Sequence, residues 1–159
     1  MGNNFFNCGK LLVVLMFLVT ALLHSCREEC AYKPDSQLIA DFHSVVQGID
    51  MEWPLDIIAL HGLGREDSLL YSERGNISSV RLPLNGSATE SGFIFVFGEY
   101  TDTVRFSYEV LPVFISQECG FVHNFDLRGA SATNNLIDSV VIVTREITSF
   151  DETNIRIYH

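Results

Sequence analysis

The chain has 159 residues, 47% of them hydrophobic, with 10 Lys/Arg against 20 Asp/Glu and a formal net charge of −10. That length suits one domain with a real core. The acids are scattered rather than run together and read as a solvated surface, and their excess excludes a nucleic-acid partner and opposes adsorption to anionic headgroups.

The first element is a leader. Lys10 precedes thirteen apolar or nearly apolar residues, Leu11 to Leu23, which are followed by His24-Ser25-Cys26. A positive charge, a short apolar core and small or polar residues before a cleavage point are the three parts of a secretory signal. A helix of that length spans about 20 Å, short of the roughly 30 Å hydrocarbon core, so an uncleaved membrane anchor is disfavoured. Leu23-His24-Ser25-Cys26 resembles the lipobox of bacterial lipoproteins, with Leu at −3, a small residue at −1 and Cys at +1; His24 departs from the small residue usual at −2. The resemblance implies a lipoprotein signal peptide over residues 1–25 and lipidation of Cys26, with acyl chains such as palmitate on the new N-terminus. Each buried CH₂ contributes about 0.8 kcal/mol, and two chains suffice for stable anchoring in the membrane. Met1-Gly2 starts like a myristoylation site, but Phe6 stands where Ser or Thr is needed. Arg27 is not the Asp that resembles an inner-membrane retention signal, so an outer-membrane location is expected. Arg27-Glu28-Glu29 looks like a surface-export tag, and periplasmic-facing and cell-surface orientations both stay open. Residues 26–36 form a short lipid tether.

The four cysteines stand at positions 8, 26, 30 and 119. Cys8 leaves with the leader and Cys26 takes the lipid. Cys30 and Cys119 remain, an even pair in an oxidising compartment, and a disulfide is expected. Closing that loop of about 90 residues contributes up to roughly 4–5 kcal/mol in the chain-entropy model. A metal site and a catalytic thiol are the competing readings. There is no C-x-x-C, and Cys119 and His123 on one strand would stand roughly 13 Å apart, too far to share a metal. No metal and no cofactor are expected. Cys30 is at most about 14 Å of extended chain from Cys26, so the disulfide would bring the Cys119 end of the domain beside the membrane.

Residues 37–159 are expected to form a single β-sandwich domain. Leu38, Ile39, Phe42, Val45, Val46 and Ile49 fit a helical stripe, but a strand over Gln37 to His43 is preferred in an all-β context. Leu55 to Leu60 reads as a strand. His61-Gly62-Leu63-Gly64 resembles an oxyanion loop, yet it lacks the G-x-S-x-G elbow and reads as a turn. Val80, Leu82 and Leu84 alternate with polar residues, and Pro83 marks an edge. Phe93 to Phe97 is apolar on both faces and suits a central strand, while Thr103 to Val110 alternates as a half-buried one. The run Asp138 to Ile147 and the final Ile155-Arg156-Ile157-Tyr158 read as two more. Gly75-Asn76, Asn85-Gly86, Gly98 and Asn134-Asn135 punctuate. The fold class is all-β, an antiparallel β-sandwich, immunoglobulin-like or related.

Cys26-x3-Cys30, Leu82-Pro83-Leu84, Ser116-Gln117-Glu118-Cys119-Gly120-Phe121 and the closing Ile155-Arg156-Ile157-Tyr158 resemble a family of small lipoproteins of diderm bacteria whose function is unknown. That resemblance implies the lipid and the disulfide and brings no activity. No catalytic residue stands out, because no two histidines share ligand spacing and no nucleophile–base pair is visible. Asp67-Ser68-Leu69, Asp102-Thr103-Val104 and Asp138-Ser139-Val140 each resemble a bacterial O-glycosylation sequon. Trp53, with Ile49 and Met51 nearby, is a candidate contact for a ligand or a partner, although such a Trp more often closes the end of a sandwich core. The expected function is a non-catalytic interaction or assembly module of the cell envelope with an envelope-protein partner. A glycan or small-ligand binder is the alternative, and an envelope hydrolase stands last.

Overall fold

A computed structural model describes residues 36–117 and 119–159. The signal peptide, Cys26, Cys30 and all of the tether except Ser36 lie outside the described residues.

The described chain is all-β, with two sheets packed face to face. The strands are β1 (Gln37–Val46), β2 (Ile49–Glu52), β3 (Leu55–Gly62), β4 (Leu69–Ile77), β5 (Ser79–Pro83), β6 (Glu90–Phe97), β7 (Tyr100–Ser116), β8 (Gly120–Ala132), β9 (Ser139–Ile142), β10 (Glu146–Ile147) and β11 (Ile155–Tyr158). One sheet runs β10-β8-β7-β6-β3-β4 and is antiparallel throughout. The other runs β2-β1-β11-β9, with β5 also on β1. In it β1 and β11 are parallel, so the first and last described strands lie side by side.

The core follows from period-two alternation. Leu38, Ala40 and Phe42 of β1, Val80 and Leu82 of β5, and Ile155 and Ile157 of β11 are buried in one layer. They meet Phe93, Phe95 and Phe97 of β6 and Val104, Phe106 and Tyr108 of β7 from the other. Phe42 joins the layers, packing edge-on against Phe95 and Phe97 at ring-centroid distances of 6.3 and 6.4 Å. The strand over Gln37 to His43 is therefore the outcome, and the competing helical stripe fails at Val45, Val46 and Ile49, which are exposed. Pro83 sits at the end of β5, a strand bonded only to β1, where a missing N–H costs least.

One expectation needs correction. Asp138 to Ile147 is not one strand: β9 belongs to the first-and-last-strand sheet and β10 to the other. Buried Asn154 makes the break. Its carbonyl accepts from the N–H of both Val143 and Thr144, its Oδ1 accepts from the Ile39 N–H, and its Nδ2 donates to the Glu146 carbonyl. A chain bonded that way cannot continue a ladder.

A second brace stands at the crossover from β8 to β9. Asp102 is fully buried, and its carboxylate accepts from Thr133 Oγ1 and the N–H groups of Asn135, Leu136 and Ile137 at 2.8–3.0 Å. Burial pushes this carboxyl up, but those four donors outweigh it and hold it below the ordinary value. Asp102 is thus a structural anchor, which places its sequon in the fold's own hydrogen bonding. Ser68 and Ser139 of the other two sequons are exposed.

Candidate functional site

Two ribbons run past the edge of the sandwich. The first is the β1–β2 hairpin. Gln47 and Gly48 both take positive φ, 54° and 80°, as a two-residue hairpin turn requires. Val46 then pairs with Ile49, Ser44 with Met51 and His43 with Glu52. Val45, Val46, Ile49 and Met51 on this ribbon are exposed, so no described strand of the opposite sheet covers them. Trp53 follows with its side chain 48% exposed, so it does not close the core. Its backbone is nonetheless held: the N–H donates to the Phe42 carbonyl, and its carbonyl lies 3.1 Å from His159 Nε2. A fixed backbone presenting a large exposed indole is how interface anchors are built.

Beside the hairpin, Asp50 lies 2.8 Å from His43 Nδ1 and accepts from Arg156 Nη1 and the Tyr158 hydroxyl. The His43 hydrogen bond is the main reason its carboxyl falls below the ordinary value, with Tyr158 and Arg156 adding to it. Acyl transfer would need a hydroxyl or thiol bonded to His43. The neighbouring Ser44 instead donates its Oγ proton to the His159 carbonyl. The carboxylate ties β1, β2 and β11 together, and the set works as a clamp.

The second ribbon is the far end of β7 and β8. Burial alternates from Asp102 to Tyr108 and then stops, since no residue from Val110 to Ser116 is buried. Phe114 pairs with Phe121 across the strands, with ring centroids 5.2 Å apart. Cys119 sits in the turn, where its N–H donates to Ser116 Oγ. It is disulfide-bonded, and its partner lies outside the described residues. Ser36 Oγ donates to Asn124 Oδ1, which sets the start of β1 beside this ribbon. The other end of β1, Val46, is about 30 Å away at the usual strand rise. The two ribbons therefore occupy opposite ends of the sandwich.

A groove of about 620 Å³ opens on the flank, lined among others by Gly62, Leu63, Arg65, Asn85, Gly92 and Arg105. Among the described residues Phe93 is its only aromatic and is buried, so they offer the groove no stacking platform, and Trp53 does not line it. His61 is also buried, its Nδ1 turned to the Gly62 carbonyl, and Gly64 takes the positive φ of the turn expected there. No cluster of three or more His, Cys, Asp or Glu that could hold a metal occurs among the described residues.

A sandwich with two uncovered ribbons and a polar groove defines a small all-β module. The particular family follows from comparison: residues 54–159 match the model of a family of unknown function, DUF6452, and the chain belongs to that family. No curated protein and no solved structure matches it.

Proposed function

We propose that the chain is an outer-membrane lipoprotein, held by acyl chains on Cys26 and stapled by a Cys30–Cys119 disulfide, that acts as a non-catalytic interaction module. Its contact surface is the β1–β2 hairpin, and its partner is an envelope protein. The observation that supports this best is five exposed apolar side chains, Val45, Val46, Ile49, Met51 and Trp53, on one ribbon of an acidic domain. Such clustering marks contact surfaces, whereas singly scattered apolar residues need no explanation. The staple and the short tether turn the Cys119 end toward the membrane and leave the hairpin facing away from it.

The test is affinity capture from detergent-solubilised envelopes with tagged wild-type protein beside Trp53→Ala and Ile49→Ala. Wild type retains a stoichiometric protein partner and the variants lose it. Recovery of no partner, or equal recovery by all three, refutes the reading. A second reading rests on the groove, where Arg65 and Arg105 form no ion pair among the described residues. It would take a small anionic ligand. Titration with anionic sugars that gives no heat ends it.

A further inference from the structure

We propose that the end of the β7–β8 ribbon is a membrane-seating tip whose Phe114 and Phe121 side chains enter the interfacial layer of the lipid bilayer. The proposal rests on the lipid-anchor reading and adds to it a second, non-covalent contact with the same membrane.

The side chains come first. Leu111, Val113, Phe114 and Phe121 are all exposed, and Phe114 and Phe121 are 56% and 67% open. The two phenyl rings lie tilted against each other and open to water, and although Val122 beside them is buried, they contribute nothing to the core. Charge comes second. Among the 30 charged residues of the 159, only Glu118 falls within the sixteen positions from Val110 to Phe125. Glu118 aside, this stretch carries no charge, whereas the chain as a whole holds 20 Asp/Glu. Uncharged aromatic side chains lower their free energy at the headgroup–acyl boundary, whereas carboxylates are repelled there.

The third point is covalent. Cys119 stands in the same turn and is disulfide-bonded. In the proposed pairing its partner is Cys30, four residues from the acylated Cys26. The tether and the disulfide together then set Cys119 within about 20 Å of the acylated Cys26, roughly 14 Å of extended chain and about 6 Å across the bridge. A lipid surface is thus the occupant that the anchor itself supplies, and no second protein is needed to cover the rings. A second copy of the chain would have to bring its own tip to the same place.

The test uses the full lipidated chain reconstituted into phosphatidylcholine vesicles, with and without bromine-labelled acyl chains. Phe114→Trp and Phe121→Trp are made separately in a Trp53→Phe background, and the wild type reports from Trp53. All proteins are floated with the vesicles first. With the tip buried some 5–10 Å into the boundary, both new tryptophans are quenched at least about threefold while Trp53 is unchanged. Both tip positions are exposed, so the substitutions leave the core intact, and either variant alone suffices. Flotation without quenching at the tip overturns the proposal and leaves the anchor standing. A blue-shifted but unquenched tip in a cross-linkable dimer assigns the surface to a second copy and also overturns it. Equal quenching of Trp53 overturns it as well, since the domain would then lie flat. Failure to float refutes the anchor, and the tip proposal falls with it.

Discussion

Replacing Asp102 by Asn tests the brace between the two sheets. The carboxylate is fully buried and uses both oxygens: Oδ1 accepts from Thr133 Oγ1 and the Asn135 N–H, Oδ2 from the N–H groups of Leu136 and Ile137. An amide keeps the shape but turns one acceptor into a donor, so two of the four donors face an N–H. Each buried donor left unpaired costs about 1–3 kcal/mol. Two of them come to about 3 kcal/mol once the half-buried Leu136 turn relaxes, a large part of a typical stability of about 5–15 kcal/mol. For a domain of this size that lowers Tm by about 10 °C. Because the native carboxyl titrates below its unfolded value, the unfolded chain binds more protons near pH 4. The stabilisation is complete above that range and is lost as pH falls through the native value. Urea denaturation of wild type and Asp102→Asn between pH 2 and pH 7, a range of about 5 units centred near the carboxyl pKa, reads both effects. A loss under about 1 kcal/mol at pH 7, with the acid slope unchanged, would refute the assignment.

Phe42 bridges the layers with no exposed surface, so Phe42→Ala is expected to cost about 3–5 kcal/mol of unfolding free energy in denaturant titrations and to leave little folded protein at 37 °C. Asn154→Ala frees the Ile39 N–H and the Glu146 carbonyl, and about 2–4 kcal/mol should be lost, with faster hydrogen exchange at Ile39. Gly48→Ala forces a side chain into φ 80° at a turn with open space around it. A loss of about 1 kcal/mol of unfolding free energy by urea denaturation is expected, and a gain in stability would show that the turn had changed type. Trp53→Ala should leave the unfolding free energy within about 1 kcal/mol of wild type, because the residue is half exposed.

Strand identity was legible wherever one face of a run was apolar and the other polar. Thr103 to Val110 became the half-buried start of β7, and Phe93 to Phe97, apolar on both faces, became the central β6. The break inside Asp138 to Ile147 was not legible, because Val140 to Val143 carries no Gly or Pro and the break comes from Asn154, more than ten residues on. Asp102 was equally hidden. In sequence it is a polar residue at a strand start inside a surface motif, and only the fold brings four donors to it. Local pattern reports which way a side chain points; it does not report whether anything lies on that side.

That same gap accounts for both ribbons. Apolar residues still recur beyond Tyr108 in β7, at Val110, Leu111, Val113 and Phe114, and beyond Phe42 in β1, at Val45 and Val46, so hydrophobicity alone does not mark where the opposite sheet ends. Trp53 would close the core if the facing sheet reached it. Past the rim, the side chains that would have filled a core have nothing to pack against. Five apolar residues at one end and a phenyl pair at the other forgo the roughly 25 cal/mol per Å² that burial would contribute, and covering either end would recover it. Their chemistry differs accordingly. The hairpin end mixes its apolar residues with the Asp50, His43 and Arg156 clamp, which suits a protein surface able to satisfy polar groups. The β7–β8 end keeps one charge in sixteen positions and carries the half-cystine. An uncharged aromatic end beside the proposed lipid anchor suits a bilayer, which is why the two ends are assigned to different partners.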